Sequence, residues 1–218
     1  MVSLIRPDSG SVFFHDDCIS RMGERQLVSV RRRMGFLFQG GALFDSMTVS
    51  ENVVFPMVEH NIGSDEEQED KCSEALGLVG LDGYQDRMPE GLSGGQKKRV
   101  ALARAIVLDP EVIFYDEPTT GLDPIRSDLI NELIVKLQDV LGATAIVVTH
   151  DMASARKVGD RVLMLHEGQF IADTTPNDLN SHDNEIVQRF VEGRASDEEL
   201  AGLRRKQPGS AVGLEDAR

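Results

Sequence analysis

The 218 residues contain no G-x-x-x-x-G-K-[ST] motif, and the dipeptide Gly-Lys does not occur. The signature of the glycine loop that cradles nucleotide phosphates is therefore missing from the chain. No apolar run approaches the ~20 residues of a membrane-spanning helix. The start, MVSLIRPDSG, lacks a charged segment followed by an apolar core, so it is not a signal peptide. The expectation is a soluble protein that reaches any membrane through a partner. Positive charge is scarce: 23 Lys and Arg stand against 37 Asp and Glu, a net charge of −14. This balance argues against a nucleic-acid partner, which would need a basic face. The two cysteines, Cys18 and Cys72, lack CxxC spacing and are taken as reduced thiols. No internal repeat is visible. The length suits one domain with a sizeable core, or one domain plus a small subdomain.

What the chain does contain is a βαβ pattern. "EVIFYDEP" (111–118) is an apolar run of buried-strand length that ends in two acids. An amphipathic helix follows over 123–142, with Asp123 as N-cap, Pro124 at the first position and Gly142 as the stop. Ile125, Leu129, Leu133, Leu137, Val140 and Leu141 are its expected apolar stripe. "TAIVVTHD" (144–151) reads as a second buried strand, hence a parallel sheet. "MGFLFQ" (34–39) is another strand, "SVFF" (11–14) a short one with "HDDC" as a turn, and 160–173 a hairpin around Glu167-Gly168. Residues 48–60 begin as a helix capped by Thr48 or Ser50, with Pro56 as an interruption. The acidic run 64–70 starts a solvated helix through a Ser64-x-x-Glu67 capping box. Residues 184–193 form a short helix, and the polar tail from Ser196 is expected to be frayed or disordered. The basic run Arg31-Arg32-Arg33 is a solvated approach to a strand rather than a headgroup site.

The chemistry gathers at strand ends. In open α/β sheets ligands bind outside the carboxyl ends of the strands. There one strand delivers Asp116 and Glu117 and the next delivers His150. An apolar strand ending in Asp is the Walker B pattern, whose Asp helps hold the Mg²⁺ of a bound nucleotide. Glu117 is then placed to orient or deprotonate a water, and His150 to polarise the γ-phosphate region. The plainer alternative for Asp116 is a loop acid that caps the next turn. "GLSGGQKKRVALARAI" (91–106) holds a second S-x-x-Q capping box, Ser93 to Gln96. Two glycines in a helix's first turn cost about 1 kcal/mol each relative to alanine. They suggest that a ligand or backbone approaches closely, at an N-terminus suited to anions. A plain capped surface helix is the alternative.

The ordered set of LSGGQ (92–96), VIFYDEP (112–118), GLD (121–123) and a strand-end Thr149-His150 resembles the nucleotide-binding domain of ABC ATPases from residue 1 to about 193. The resemblance implies an α/β, P-loop NTPase-like ABC ATPase core. Its sheet would be mostly parallel, with a helical subdomain at about 48–108 and a flexible polar extension over 194–218. It implies ATP and Mg²⁺. Gln39 would be the Q-loop glutamine, a metal contact with Asp116 and a link to the transmembrane partner. Ser93, Gly94, Gly95 and Gln96 would contact ATP held by the opposite subunit of a head-to-tail homodimer. Asp116 would be the Walker B acid, Glu117 the catalytic carboxylate, Asp123 the D-loop aspartate and His150 the switch histidine.

A narrower likeness lies in "FLFQGGALFDSMTVSENVVFPMVEH" (36–60), which is similar to the ATPase subunit of Mla/Mce-type lipid transporters. It implies a permease, an MCE-domain lipid-binding protein, a phospholipid-like cargo and a peripheral place on the cytoplasmic face of the inner membrane. The chain departs from the family by lacking the first strand and the P-loop helix. The expectation is a truncated copy or a misplaced start, poorly active alone and exposing apolar core; a functional relative without a P-loop is the alternative. Two rival functions remain. A DNA-repair or chromosome-organising ATPase is disfavoured, since Gln39 and Ser93 lie 54 positions apart (93 − 39) with no heptads between them. A non-catalytic module that donates its LSGGQ face to a complete partner is the other.

Overall fold

The computed structural model describes residues 4–204. It holds two compact units, one through Val158 and one from Gly159 onward.

The first unit opens with a hairpin, β1 (Phe13–Phe14) and β2 (Asp17–Cys18), so the expected turn "HDDC" is a turn followed by a second strand. Helix α1 (Glu24–Arg31) follows. Sequence reasoning passed over it because it is short and its charged residues equal its apolar ones in number; only Leu27 and Val30 are buried. The Arg run ends α1 and leads directly into the strand that starts at Met34, as expected, and Arg33 pairs with Glu111.

Three parallel strands form the central sheet in the order β3 (Met34–Leu37), β4 (Val112–Asp116), β5 (Thr144–Val148). Their register puts Leu37 beside Tyr115, and Asp116 beside Val148, at the carboxyl ends. Strand β5 was expected to be fully buried. Among the described residues it is paired on one side only, and Val148 is 54% exposed.

Helices α2 (Val49–Glu59), α3 (Asp65–Leu78) and α4 (Gly94–Ile106) carry capping boxes built by Thr48/Glu51, Ser64/Glu67 and Ser93/Gln96. Each box satisfies N–H groups that a helix start leaves open. Pro56 does not interrupt α2; the helix runs through it. Burial of Val49, Val53 and Met57 on the same helix outweighs the lost backbone bond. The three helices share one core with the sheet, through Leu37, Leu76, Leu102, Ile113 and Tyr115. Contact between α4 and β3 is close enough that a Cβ at Gly35 would lie 2.4 Å from the Ala105 carbonyl oxygen. That glycine therefore sets how near the end of α4 sits to the start of β3.

Helix α5 (Pro124–Leu141) starts on the Asp123 cap and stops at Gly142, which is left-handed with φ 62°. Its buried face is Ile130, Leu133, Ile134 and Leu137. Ile125, Leu129 and Val140 of the expected stripe are exposed, so the helix is rotated relative to that stripe and only part of it is covered. A short helix α6 (Met152–Val158) closes the unit.

The second unit holds the expected hairpin, β6 (Val162–His166) and β7 (Gln169–Thr174). Glu167 and Gly168 both have positive φ, the geometry of a tight type I′ turn. Helix α7 (Glu185–Glu192) runs from the Asn184 cap to Gly193. The tail expected to fray forms a further helix, α8 (Asp197–Arg204). The rest of the polar tail, residues 205–218, and residues 1–3 lie outside the described residues.

Candidate nucleotide site at the strand ends

The end of β4 turns sharply. Glu117 sits at φ 48°, a left-handed conformation that costs a non-glycine residue of order 1 kcal/mol or more. Its surroundings hold it there. The Glu117 amide donates to the Val148 carbonyl of β5 at 2.9 Å. One carboxylate oxygen accepts from the His150 backbone N–H at 3.1 Å and lies 2.8 Å from His150 Nδ1. The other accepts from the Thr120 hydroxyl at 2.9 Å. Burial pushes the Glu117 carboxyl up, but the hydrogen bonds from His150 and Thr120 outweigh it and keep the group below its ordinary value. It is therefore a carboxylate at neutral pH. Its hydrogen bond and charge raise the His150 pKa in turn. The Glu117 side chain is 18% exposed and that of His150 71%, so the pair is accessible from solvent.

Asp116 is exposed at the last position of β4, beside Glu117. Gln39 is exposed two residues beyond β3. The loop after Gln39 is pinned by the buried Asn52. Its amide accepts from the Phe44 N–H at 2.8 Å and its nitrogen faces the carbonyls of Phe44, Met47 and Thr48 at 2.9–3.1 Å. This is the physical work of the Asn in the "SENVVFP" run. The carboxylate of Asp116 and the carboxamide of Gln39 are hard oxygen donors. They fit Mg²⁺, which is held by one or two protein oxygens together with substrate phosphates rather than by a full protein cage. No cluster of three or more His, Cys, Asp or Glu able to hold a metal is found among the described residues.

The signature segment forms a second group. Ser93 caps α4, its hydroxyl accepting from the Gln96 N–H at 3.3 Å, while Gln96 returns a bond to the Ser93 N–H at 2.8 Å. Gln96 also donates to the Tyr84 hydroxyl at 3.1 Å. Asp123 caps α5 through the Arg126 N–H at 3.0 Å and pairs with the Arg126 side chain at 3.2 Å. The segment around Asp123 borders the glycines: a Cβ on Gly94 would lie 3.8 Å from Leu122, and one on Gly95 3.9 Å from Arg126.

Sequence reasoning missed Lys98, Thr120 and a buried polar cluster. In that cluster Ser154 receives Asn131 at 2.9 Å, lies 3.3 Å from Thr119 and donates to Asp151 at 2.7 Å. It braces the start of α6, next to His150, against α5 and the loop after Glu117. Asn131 fell between the apolar positions of a helix whose stripe was assigned one face off. Lys98 was not singled out, although its spacing with Leu102 and Ile106 places it on the inward stripe.

Comparison with known proteins agrees with this geometry. Residues 1–120 match the family described as ABC transporter. The intermembrane phospholipid transport system ATP-binding protein MlaF of Haemophilus influenzae is 40% identical over 192 residues, covering 88% of this chain and 72% of that protein. The probable ribonucleotide transport ATP-binding protein mkl of Mycobacterium tuberculosis is 38% identical over 194 residues, 89% of this chain but 54% of that protein. The chain thus spans about half the length of the latter relative. A solved dimeric ATP-binding cassette, in a post-hydrolysis state with ADP and Pi, shares the fold with a TM-score of 0.71 and 34% identity over 80% of this chain and 77% of its own. No helix among the described residues is long and apolar enough to cross a membrane. With its strand-end Asp-Glu and His and its capped LSGGQ helix, the chain belongs to the ABC transporter ATP-binding family.

Proposed function

We propose that the chain is the ATP-hydrolysing subunit of a phospholipid transporter of the Mla/Mce type, acting at the cytoplasmic face of the inner membrane in a head-to-tail pair of ATPase subunits. One observation carries the ATP reading. Gly94 and Gly95 are helical, so positive φ does not call for glycine. Added Cβ atoms would meet only ordinary van der Waals neighbours within the chain. No packing among the described residues explains two residues that each cost the helix about 1 kcal/mol. The space in front of them suits a group from outside, the γ-phosphate of ATP held by the opposite subunit.

In this reading Gly94 and Gly95 offer their N–H groups, and the helix end capped by Ser93 and Gln96 offers its positive pole, to that phosphate. Asp123 lines the same approach. In the strand-end cluster Glu117, ionised and half-enclosed, takes the proton of an attacking water. His150 holds the Glu117 carboxylate in place and faces the phosphate. Asp116 and Gln39 would hold Mg²⁺, which neutralises phosphate charge when bound. An open apolar groove beside the Gln39 loop, lined by Phe36, Phe38, Phe44, Phe55 and Pro56, offers a seat for a helix of the permease. An MCE-domain protein would then hand over the lipid. The lipid reading rests on the 36–60 segment and on the likeness to the phospholipid relative.

By themselves the 218 residues, without a P-loop motif, are expected to turn over ATP at background. Mixed with a P-loop-bearing ABC ATPase subunit, they should raise turnover severalfold above either protein alone; no increase would sink the role given to the LSGGQ helix. With a permease partner in proteoliposomes, turnover should respond to phospholipid and not to ribonucleotides. The reverse response would replace the lipid reading.

A further inference from the structure

Lys98 is 6% exposed, in the middle of the inward face of α4. A buried ammonium is costly unless its protons are bonded, and an apolar side chain would fill the same space more cheaply. The Lys98 amine makes two specific bonds. It donates to the carbonyl of Gln39 at 3.0 Å and to the carbonyl of Glu117 at 3.2 Å. These carbonyls lie beyond the ends of neighbouring strands, β3 and β4, and the second belongs to the left-handed Glu117 peptide. The Glu117 N–H is held by β5 and its carboxylate by His150 and Thr120. Its carbonyl is held by the Thr120 N–H at 3.3 Å within the turn and by Lys98, which is the hold that comes from α4. Lys98 also lies on the same helix as the Ser93 cap, five positions further on. Burial lowers its pKa, partly offset by the Glu117 charge.

We propose that Lys98 is a positioning residue: its amine ties the LSGGQ helix to the Glu117 and Gln39 backbones, so that movement of α4 against the strand ends shifts the Glu117 carboxylate and its His150 partner. This rests on the reading of Glu117 as the water-activating group. The coupling runs through a bond network rather than through packing alone. A helix drawn towards ATP at its N-terminus would pull on the carbonyl that fixes the strained peptide. Because the same amine holds Gln39, the chain leading to the apolar groove joins the same tie. The geometry thereby connects three places that the sequence leaves apart: signature helix, strand-end acid and partner-facing loop.

Two variants of the 218-residue chain test this by NMR at fixed pH. Lys98→Met keeps the apolar stem and removes both bonds. Lys98→Gln keeps an N–H donor. In Lys98→Met, exchange of the Glu117 amide is expected to rise at least tenfold and the His150 Nδ1 resonance to lose its hydrogen-bonded position. In Lys98→Gln both should stay near the parent. The amides of Ile113 and Phe114, inside β4, should be unchanged throughout. A folded Lys98→Met chain with parent-like Glu117 and His150 signals would overturn the proposal. If that variant does not fold, the parent decides. A slowly exchanging Lys98 ammonium with cross-relaxation to Gln39 and Glu117 supports the tie, and an amine exchanging like a surface lysine overturns it. None of these readouts needs nucleotide. A mixed-subunit assay that fails while they behave as expected therefore sinks the functional reading and leaves the tie intact.

Discussion

The strand-end cluster and the LSGGQ helix start differ in how far the chain itself completes them. Around Glu117 both carboxylate oxygens, the amide and the carbonyl all have partners within the chain. At Ser93, Gly94 and Gly95 the cap is satisfied, but the glycines serve no internal contact. The first region is prearranged chemistry that the fold supports. The second is a surface whose composition makes sense only with something outside the chain. Function and stability should therefore separate at the glycines and move together at the cluster.

The sharpest way to break this contrast is Gly94→Val. Turnover of the mixed-subunit assembly is expected to fall about a hundredfold, which corresponds to about 2.7 kcal/mol at the barrier. The melting temperature of the isolated chain should hold, and Gly94→Ala should raise it slightly. A Gly94→Val chain that melts early and still supports turnover would erase the contrast. Next in size is Ser154→Ala. It leaves Asn131 and Asp151 short of a buried partner and should cost about 1–3 kcal/mol in denaturant unfolding. His150 should also become more mobile, since α6 begins two residues later. Ser93→Ala is smaller. Loss of one cap should cost about 1 kcal/mol, and a much larger loss would mean that Ser93 has an internal partner beyond the cap.

The smallest effect is a pH dependence. The Glu117 pKa is depressed, so its contribution to stability is present above its unfolded value and lost as pH falls through the folded one. The His150 pKa is raised, so its contribution is present below its unfolded value and lost as pH rises through the folded one. The pair therefore stabilises most between the ordinary Glu and His values. Proton NMR should show His150 titrating above its ordinary value in the parent and near it in Glu117→Gln. Equal titration in both would show that the pair is not formed in solution.

Much of this site was legible before any coordinates. Asp116, Glu117 and His150 could be placed at neighbouring strand ends because apolar runs of strand length with acids or His at their ends have few other readings. The side-chain caps Ser64, Ser93 and Asp123 follow from local chemistry alone, and the structure chose Thr48 over Ser50. The hairpin at Glu167-Gly168 follows from local chemistry too, since its turn needs two residues at positive φ. The misses share a cause. The stripe of α5, the passage of α2 through Pro56 and the one-sided pairing of β5 all depend on what lies against an element, which its own residues do not state. Lys98 and Asn131 are polar residues on buried faces, and a polar residue on an inward stripe draws no attention until its partners are known.

By itself the sequence determined the strands of the sheet, most of the capped helices and the order of acids and His along the chain, because those depend on neighbours a few residues away. Only the tertiary structure decided which carbonyls Lys98 would reach, how Glu117 is bent and held, and that Gly94 and Gly95 have no packing reason to be glycine. Those facts rest on contacts between segments 19 to 59 positions apart, which no local pattern encodes.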